Sequence, residues 1–188
     1  MDHVRLTPET LKALAHPLRV RLLNLLRERG PATATRLAEL TGQSSGATSY
    51  HLRQLAAHGF VEEDDEQVAS GRERWWKAAH ARTRLEATEA RQSPSDTEAY
   101  LRSVALLYAE RTERWLAEAP LLTPEWDTGA TLSDARLRLT PAEAAQLIAD
   151  IDRLMESYRG DGPDVPAPPD AERVVFQVQV MPFMRGSE

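Results

Sequence analysis

Apolar residues recur along this chain in two periods, one near 3.6 and one of 2, and they divide it into elements. Thr7-Pro8-Glu9 reads as a cap with proline at the first helical position, and Leu11, Leu14 and Ala15 then fall on one side of a short helix. A second helix starts at Pro17. Its stripe of Leu18, Leu22, Leu23, Leu25 and Leu26 persists until Gly30-Pro31 stops it. A third, short helix is predicted from a Thr33 cap through Leu37, Ala38 and Leu40 to Thr41-Gly42. A fourth is capped by Ser44 or Ser45 and runs to about His58, where Gly59 closes it. The period then changes. Phe60-Val61-Glu62-Glu63 and Arg74-Trp75-Trp76-Lys77, separated by the polar run from Asp64 to Gly71, predict two brief strands of a β-hairpin.

Residues 83–94 are polar and include Gln92-Ser93-Pro94, as a junction would. Ser95-x-x-Glu98 has the spacing of a capping box for a long helix over 95–119, with Tyr100, Leu101, Val104, Leu107 and Tyr108 on one side, Trp115 further on, and Pro120 at its end. Ala135, Leu137 and Leu139 alternate with Arg136 and Arg138, the period of a half-buried strand. Thr140-Pro141-x-Glu143 is another capping box, and the helix it opens to residue 158 gathers Ala144, Leu147, Ile148, Ile151, Leu154, Met155 and Tyr158 on one face. Residues 160–171 are rich in Gly, Pro and Asp, and Val174, Phe176, Val178 and Val180 alternate in a last strand. The chain contains no internal repeat.

The fold class that follows is mainly α with small β. An N-terminal winged helix-turn-helix (1–82) precedes a linker and long dimerisation helix (83–120), and a C-terminal strand-helix-strand unit (121–188) serves dimerisation or sensing. Short helices followed by a hairpin within about eighty residues are the element order of that winged fold. In it the fourth helix enters the major groove and the hairpin lies along the backbone or the minor groove.

Charge at first opposes a nucleic-acid partner, because the net is -6 and phosphate contacts come from Lys and Arg. Residues 1–82, however, carry 12 Lys and Arg against 10 Asp and Glu, and the remainder 11 against 19. The acidic surplus belongs to the C-terminal part. There is no cysteine, which removes disulfides, thiolate metal sites and cysteine nucleophiles and points to a reducing, cytoplasmic setting. The first residues show no signal-peptide pattern, and no apolar run is long enough to span a membrane. A glycine-rich phosphate loop, a nucleophile elbow and a His–Glu metal motif are all missing. Ser49 and His51 lie two apart on one helix, hence on different faces. The expectation is a protein that is not an enzyme, with no catalytic residue, no cofactor and no metal.

On the helix beginning near residue 44, Thr48, Leu52, Leu55 and Ala56 cluster as the packed side. The opposite side shows Gly46, Ala47, Tyr50 and Gln54, flanked by His51 and Arg53, and contains neither an acid nor a large aliphatic residue. Small Ser44, Ser45, Gly46 and Ala47 let the helix N-terminus, with its unpaired N–H groups, approach phosphate. Gln54 suits adenine, His51 a base edge, and the Ala47 methyl a thymine methyl; Arg53 suits phosphate. Ser49 completes the candidate face. In the hairpin, Arg72 and Arg74 are placed to grip backbone or minor groove, or else to balance Asp64, Asp65 and Glu66 across it.

These residues also carry a resemblance. The stretch from Leu11 to Leu23, with Ala15-His16-Pro17-Leu18-Arg19 at its centre, resembles the opening of ArsR-type bacterial transcriptional regulators. Leu37-Ala38-Glu39-Leu40-Thr41-Gly42, Ser49-Tyr50-His51-Leu52-Arg53-Gln54-Leu55 and His58-Gly59-Phe60-Val61-Glu62 are similar to the same family's helix-turn-helix and first wing strand. The match covers about residues 9–80. It implies a homodimer that binds a pseudo-palindromic double-stranded DNA operator, usually as a repressor released by a signal. This chain departs from the pattern in three places: Ala47 stands where a Thr or other polar residue is frequent, Thr48 fills an apolar slot, and the thiolate pair of the metal sensors is missing between Ala32 and Leu40. His16 sits in the family's packing motif.

The long helix is the expected dimer seam, through Tyr100, Val104, Leu107, Tyr108 and Trp115, because a wing-bearing monomer needs a partner to reach two half-sites. The same stripe could instead pack on the chain's own C-terminal part. A pocket for a small-molecule effector would be lined by Tyr108, Trp115, Met155 and Tyr158. The competing class is a protein-interaction module on a winged-helix scaffold, favoured by the acidic total.

Overall fold

Each of the first four helices opens on a side chain that satisfies an orphan amide. A computed structural model describes residues 3–65, 73–162 and 165–183. Its elements in chain order are β1 (His3–Arg5), α1 (Pro8–Leu14), α2 (Pro17–Arg29), β2 (Ala32–Thr33), α3 (Ala34–Thr41), α4 (Ser45–Ala57), β3 (Val61–Glu63), β4 (Trp75–Ala78), β5 (Arg82–Arg84), α5 (Ala87–Gln92), α6 (Pro94–Glu118) and α7 (Pro141–Glu156). Thr7 and Thr10 cap α1 reciprocally. The His16 ring caps α2, Thr33 caps α3, and Ser44 rather than Ser45 caps α4. Gly42 ends α3 at φ 67°, the left-handed turn between the two helices of the motif.

The helices enclose one apolar cluster. Leu11, Leu22, Leu52 and Leu55 are fully buried, with Leu6, Leu14, Leu23, Leu37 and Phe60 close to it. Each such side chain contributes roughly 1.5–3 kcal/mol relative to exposure. The hairpin has a strand more than the sequence pattern provides: the order is β2-β4-β3, antiparallel throughout, with Ala32 opposite Trp76 and Val61 opposite Ala78. A separate ladder pairs β1 with β5 in parallel, His3 opposite Arg82 and Arg5 opposite Arg84. Strands β1, β2 and β5 are too short to show an alternation.

The long helix starts earlier than its expected capping box. Pro94 takes the first turn, the Thr97 amide donates to the Ser93 carbonyl at 2.9 Å, and Glu98 accepts from Arg102 instead of reaching back to Ser95. The fixed φ of proline suits a first helical turn, so it outweighs the Ser-x-x-Glu spacing. Residues 87–92, expected as junction, form α5. Tyr100, Ser103 and Leu107 form the buried stripe of α6, and Tyr100 and Leu107 join the winged-helix core. Arg111 fastens the same helix to α2, pairing with Glu28 and donating to the Asn24 amide oxygen at 3.1 Å. Arg27 of α2 donates to the His80 carbonyl at 2.8 Å and to Thr83 at 2.9 Å. Burial lowers the Arg27 guanidinium to about 10 and raises the Tyr100 phenol to about 12.

By compactness the chain divides into residues 1–117 and 118–188, so α6 belongs with the winged helix up to Ala117. In the second unit α7 forms as expected, on a Thr140–Glu143 capping box. The strands expected at 135–139 and 174–180 do not form: both stretches are without helix, turn or bend, and among the described residues neither is paired. Alternation selects a face, whereas a strand also needs a neighbour for its amides and carbonyls. The described residues of this unit supply none. Among the described residues no helix is long and apolar enough to cross a membrane.

Candidate nucleic-acid interface

The helix-turn-helix places α4 with one face sealed and one open. Thr48, Leu52 and Leu55 are buried against the core, as their spacing requires, while Ser44, Ser45, Gly46, Tyr50 and Arg53 are exposed and Ala47, Ser49 and Gln54 half-buried. The Ser44 hydroxyl accepts from the Ala47 amide at 3.2 Å, which leaves the amides of Ser45 and Gly46 at the helix end facing outward. No acidic residue lies anywhere on α4. A polyanion approaching this end meets the positive pole of the helix dipole and no competing carboxylate from the helix itself.

Beside it runs a groove of about 350 Å³, lined by the first residues of α3 (Ala34, Thr35), by Ser45, Ser49 and Arg53 of α4, and by Glu73, Arg74 and Trp76. Thr35 donates to Glu73 at 2.8 Å, which ties the hairpin to α3. Arg74 pairs with Glu63 at 3.1 Å and lies over the Trp76 ring at 5.7 Å. It therefore balances an acid across the hairpin, with Glu63 in the place of the acids expected at 64–66. Asp64 is buried and pairs with Lys77 at 3.7 Å. Arg72 lies outside the described residues.

His51 stands apart from the open face. Its ring lies against that of His16, tilted by 41° with centroids 4.4 Å apart, and meets Tyr50 edge-on at 5.2 Å. Its Nδ1 is buried without a hydrogen-bond partner, as is Nε of Arg19. Desolvation, followed by repulsion from His16 and Arg19, holds the His51 pKa below its usual value. Desolvation and then Arg19 do the same to His16. His16 Nδ1 accepts the Leu18 amide at 3.2 Å, a role that requires the unprotonated nitrogen. Residue type alone does not single out Arg19 for this cluster. The available signal was its position one helical turn beyond His16, on the first turn of α2.

The expected dimer residues divide between inside and outside. Tyr100 and Leu107 are buried in the chain's own core, so they are not open to a second copy, and Val104 packs beside them. Tyr108 and Trp115 are half-buried on α6, whereas Leu101, Leu106 and Leu116 of the same helix are exposed. Met155 is half-buried on α7, and Tyr158, just beyond that helix, is exposed; both belong to the second unit. Among the described residues no three His, Asp or Glu side chains gather as a metal site requires.

Three helices, a short turn at Gly42 and a three-stranded wing define a winged helix-turn-helix. Residues 14–64 match the family described as a helix-turn-helix domain, a span from the last residue of α1 to the first residue after β3. No curated protein matches the chain. Among solved structures, that of Lactococcus lactis ZitR, a mutant in its apo form, is similar at 14% identity over 77% of this chain and 83% of that one, with a TM-score of 0.33.

Proposed function

We propose that this chain is a sequence-specific DNA-binding transcriptional regulator of the ArsR type that acts as a homodimer. It represses by occupying a pseudo-palindromic operator, and it does not sense metal through thiolates. The observation that carries the reading is the open, acid-free face of α4 on a helix-turn-helix scaffold. Ser45, Gly46 and Ala47 bring the helix end to the phosphates, and Tyr50 and Gln54 reach base edges. Arg53 neutralises a phosphate beside the groove. The negative total charge is compatible with this because the surplus of acids lies beyond residue 82.

Fluorescence anisotropy tests it, with duplexes from the protein's own promoter and scrambled controls across a salt series. The promoter should be bound at least about 10³-fold more tightly than the scramble, and added salt should weaken both. Arg53→Ala should weaken binding to all duplexes and lower the salt slope by about 1. Equal and feeble binding to both duplexes, with an empty genome-wide selection of bound fragments, would replace this reading with a protein-binding role for the winged helix.

A further inference from the structure

Two basic side chains flank the open face of α4, Arg53 on one side and His51 on the other, about 160° apart when measured across Tyr50 and Gln54. A helix about 10–12 Å across fills a major groove about 12 Å wide, so each flank meets a sugar-phosphate wall. On the His51 flank, α2 supplies His16 and Arg19. The two rings lie 4.4 Å apart, and Tyr50, itself 54% exposed, meets His51 edge-on. These bases gather without an acid. The charged neighbours that act on the three are one another and Tyr50; Glu9 and Lys12, the charged residues of α1, act on none of them. Arg19 Nη2 donates only a long 3.4 Å bond to the Lys12 carbonyl. Its Nε, like Nδ1 of His51, is shut off from water without a partner, an arrangement that is costly when left uncompensated. The cluster is nevertheless reachable, because His16 is exposed and Arg19 half-buried. His16 Nδ1 accepts the Leu18 amide, so the neutral ring carries its hydrogen on Nε2, a donor.

We propose that Arg19, His16 and His51 form a site for a backbone phosphate of the DNA, on the flank of α4 opposite Arg53, and that a proton enters with the phosphate. The site rests on the preceding reading, in which α4 lies in the major groove, and gives that reading a contact with the second wall. A phosphodiester supplies the negative charge that the cluster lacks, and the exposed His16 ring and the Arg19 guanidinium are its donors. The proton follows from the state of the free protein. Desolvation, and then repulsion within the cluster, keep both rings below the ordinary imidazole range, so near neutral pH they are uncharged. A phosphate beside them favours the charged form and raises their titration midpoints. DNA binding therefore takes up protons, and affinity rises as pH falls. The Arg53 flank has no imidazole and contributes a contact that is indifferent to pH in this range.

The test titrates the full-length protein onto its promoter duplex across a salt series at about pH 6 and about pH 8. Binding should be about three- to tenfold tighter at the lower pH. Arg19→Gln, with circular dichroism unchanged, should weaken binding roughly tenfold at about 0.1 M salt and lower the salt slope by about 1. His16→Asn, which keeps a side-chain cap on α2, and His51→Asn should each reduce the dependence on pH. A second measurement needs neither DNA nor a variant. Sulfate, a phosphate stand-in that does not titrate in this range, replaces chloride at equal ionic strength while the imidazole resonances of the unmodified protein are followed by NMR; it should raise the midpoints of His16 and His51 above those in chloride, and more than those of the other histidines. Two results overturn the site while leaving the regulator standing: a promoter bound with a salt slope and pH dependence that Arg19→Gln leaves intact, or ring midpoints that sulfate moves no more than chloride does. Failure to bind any duplex overturns the contact together with the preceding reading, so the two failures are told apart.

Discussion

Thr48 is fully buried and its hydroxyl has no hydrogen-bond partner. Such an orphan costs about 1–3 kcal/mol, and valine keeps the β-branched shape without the hydroxyl. Thr48→Val should therefore raise stability by about 1 kcal/mol, read as a higher urea midpoint at unchanged slope; a lower midpoint would show that the hydroxyl is satisfied. The neighbouring histidines set a dependence on pH. Both His16 and His51 have pKa values lowered from 6.5, so the unfolded chain takes up protons first as pH falls. Stability is undiminished above 6.5, begins to fall below it, and reaches its floor once pH is under the folded values. Melting temperature followed from pH 7.5 downward should show this decline, and His51→Asn should flatten it; an unchanged profile would mean that the ring pair is not the source. At this scale the sequence told which side of α4 is packed, because Thr48, Leu52 and Leu55 follow the helical period. It did not tell that His51 turns to His16, since that contact joins residues 35 positions apart and leaves no trace in spacing.

Capping residues were the most legible part of the elements. Thr7, Thr33, Ser44 and Thr140 all cap the helices they announce, because capping is decided within four residues. The turn of the helix-turn-helix depends on Gly42, where an added Cβ meets nothing within 4 Å but the φ of 67° is strained for any other residue. Gly42→Ala should cost about 1–2 kcal/mol, measured by denaturant unfolding, and should weaken DNA binding in parallel if the turn aims α4. The start of α6 misled because two local signals overlapped, Pro94 and Ser95-x-x-Glu98, and the proline prevailed. What that helix packs against was not legible at all. Its attachment through Arg111 and Glu28, both mostly buried, should appear in a double-mutant cycle of Arg111→Met and Glu28→Gln as a coupling of roughly 0.5–3 kcal/mol; additivity would mean that the pair is incidental to holding α6.

For the whole molecule, the first unit holds every buried residue described and the second holds none. The strands expected from the alternation at 135–139 and 174–180 do not form, because a periodicity names a face and is silent about who covers it. The unequal division has a counterpart in charge, with the acidic surplus of the sequence beyond residue 82. Deleting residues 118–188 should accordingly leave a cooperatively melting winged helix, checked by calorimetry; loss of the transition would show that the first unit depends on the second. The parallel ladder of β1 with β5, His3 against Arg82, has a further consequence in time. During synthesis the third residue must wait for a partner about eighty residues behind it, and closing so long a loop is slow relative to local helix formation. On the ribosome α1 to α4 can therefore assemble first, with the amino-terminal strand docking only once Arg84 has cleared the exit tunnel.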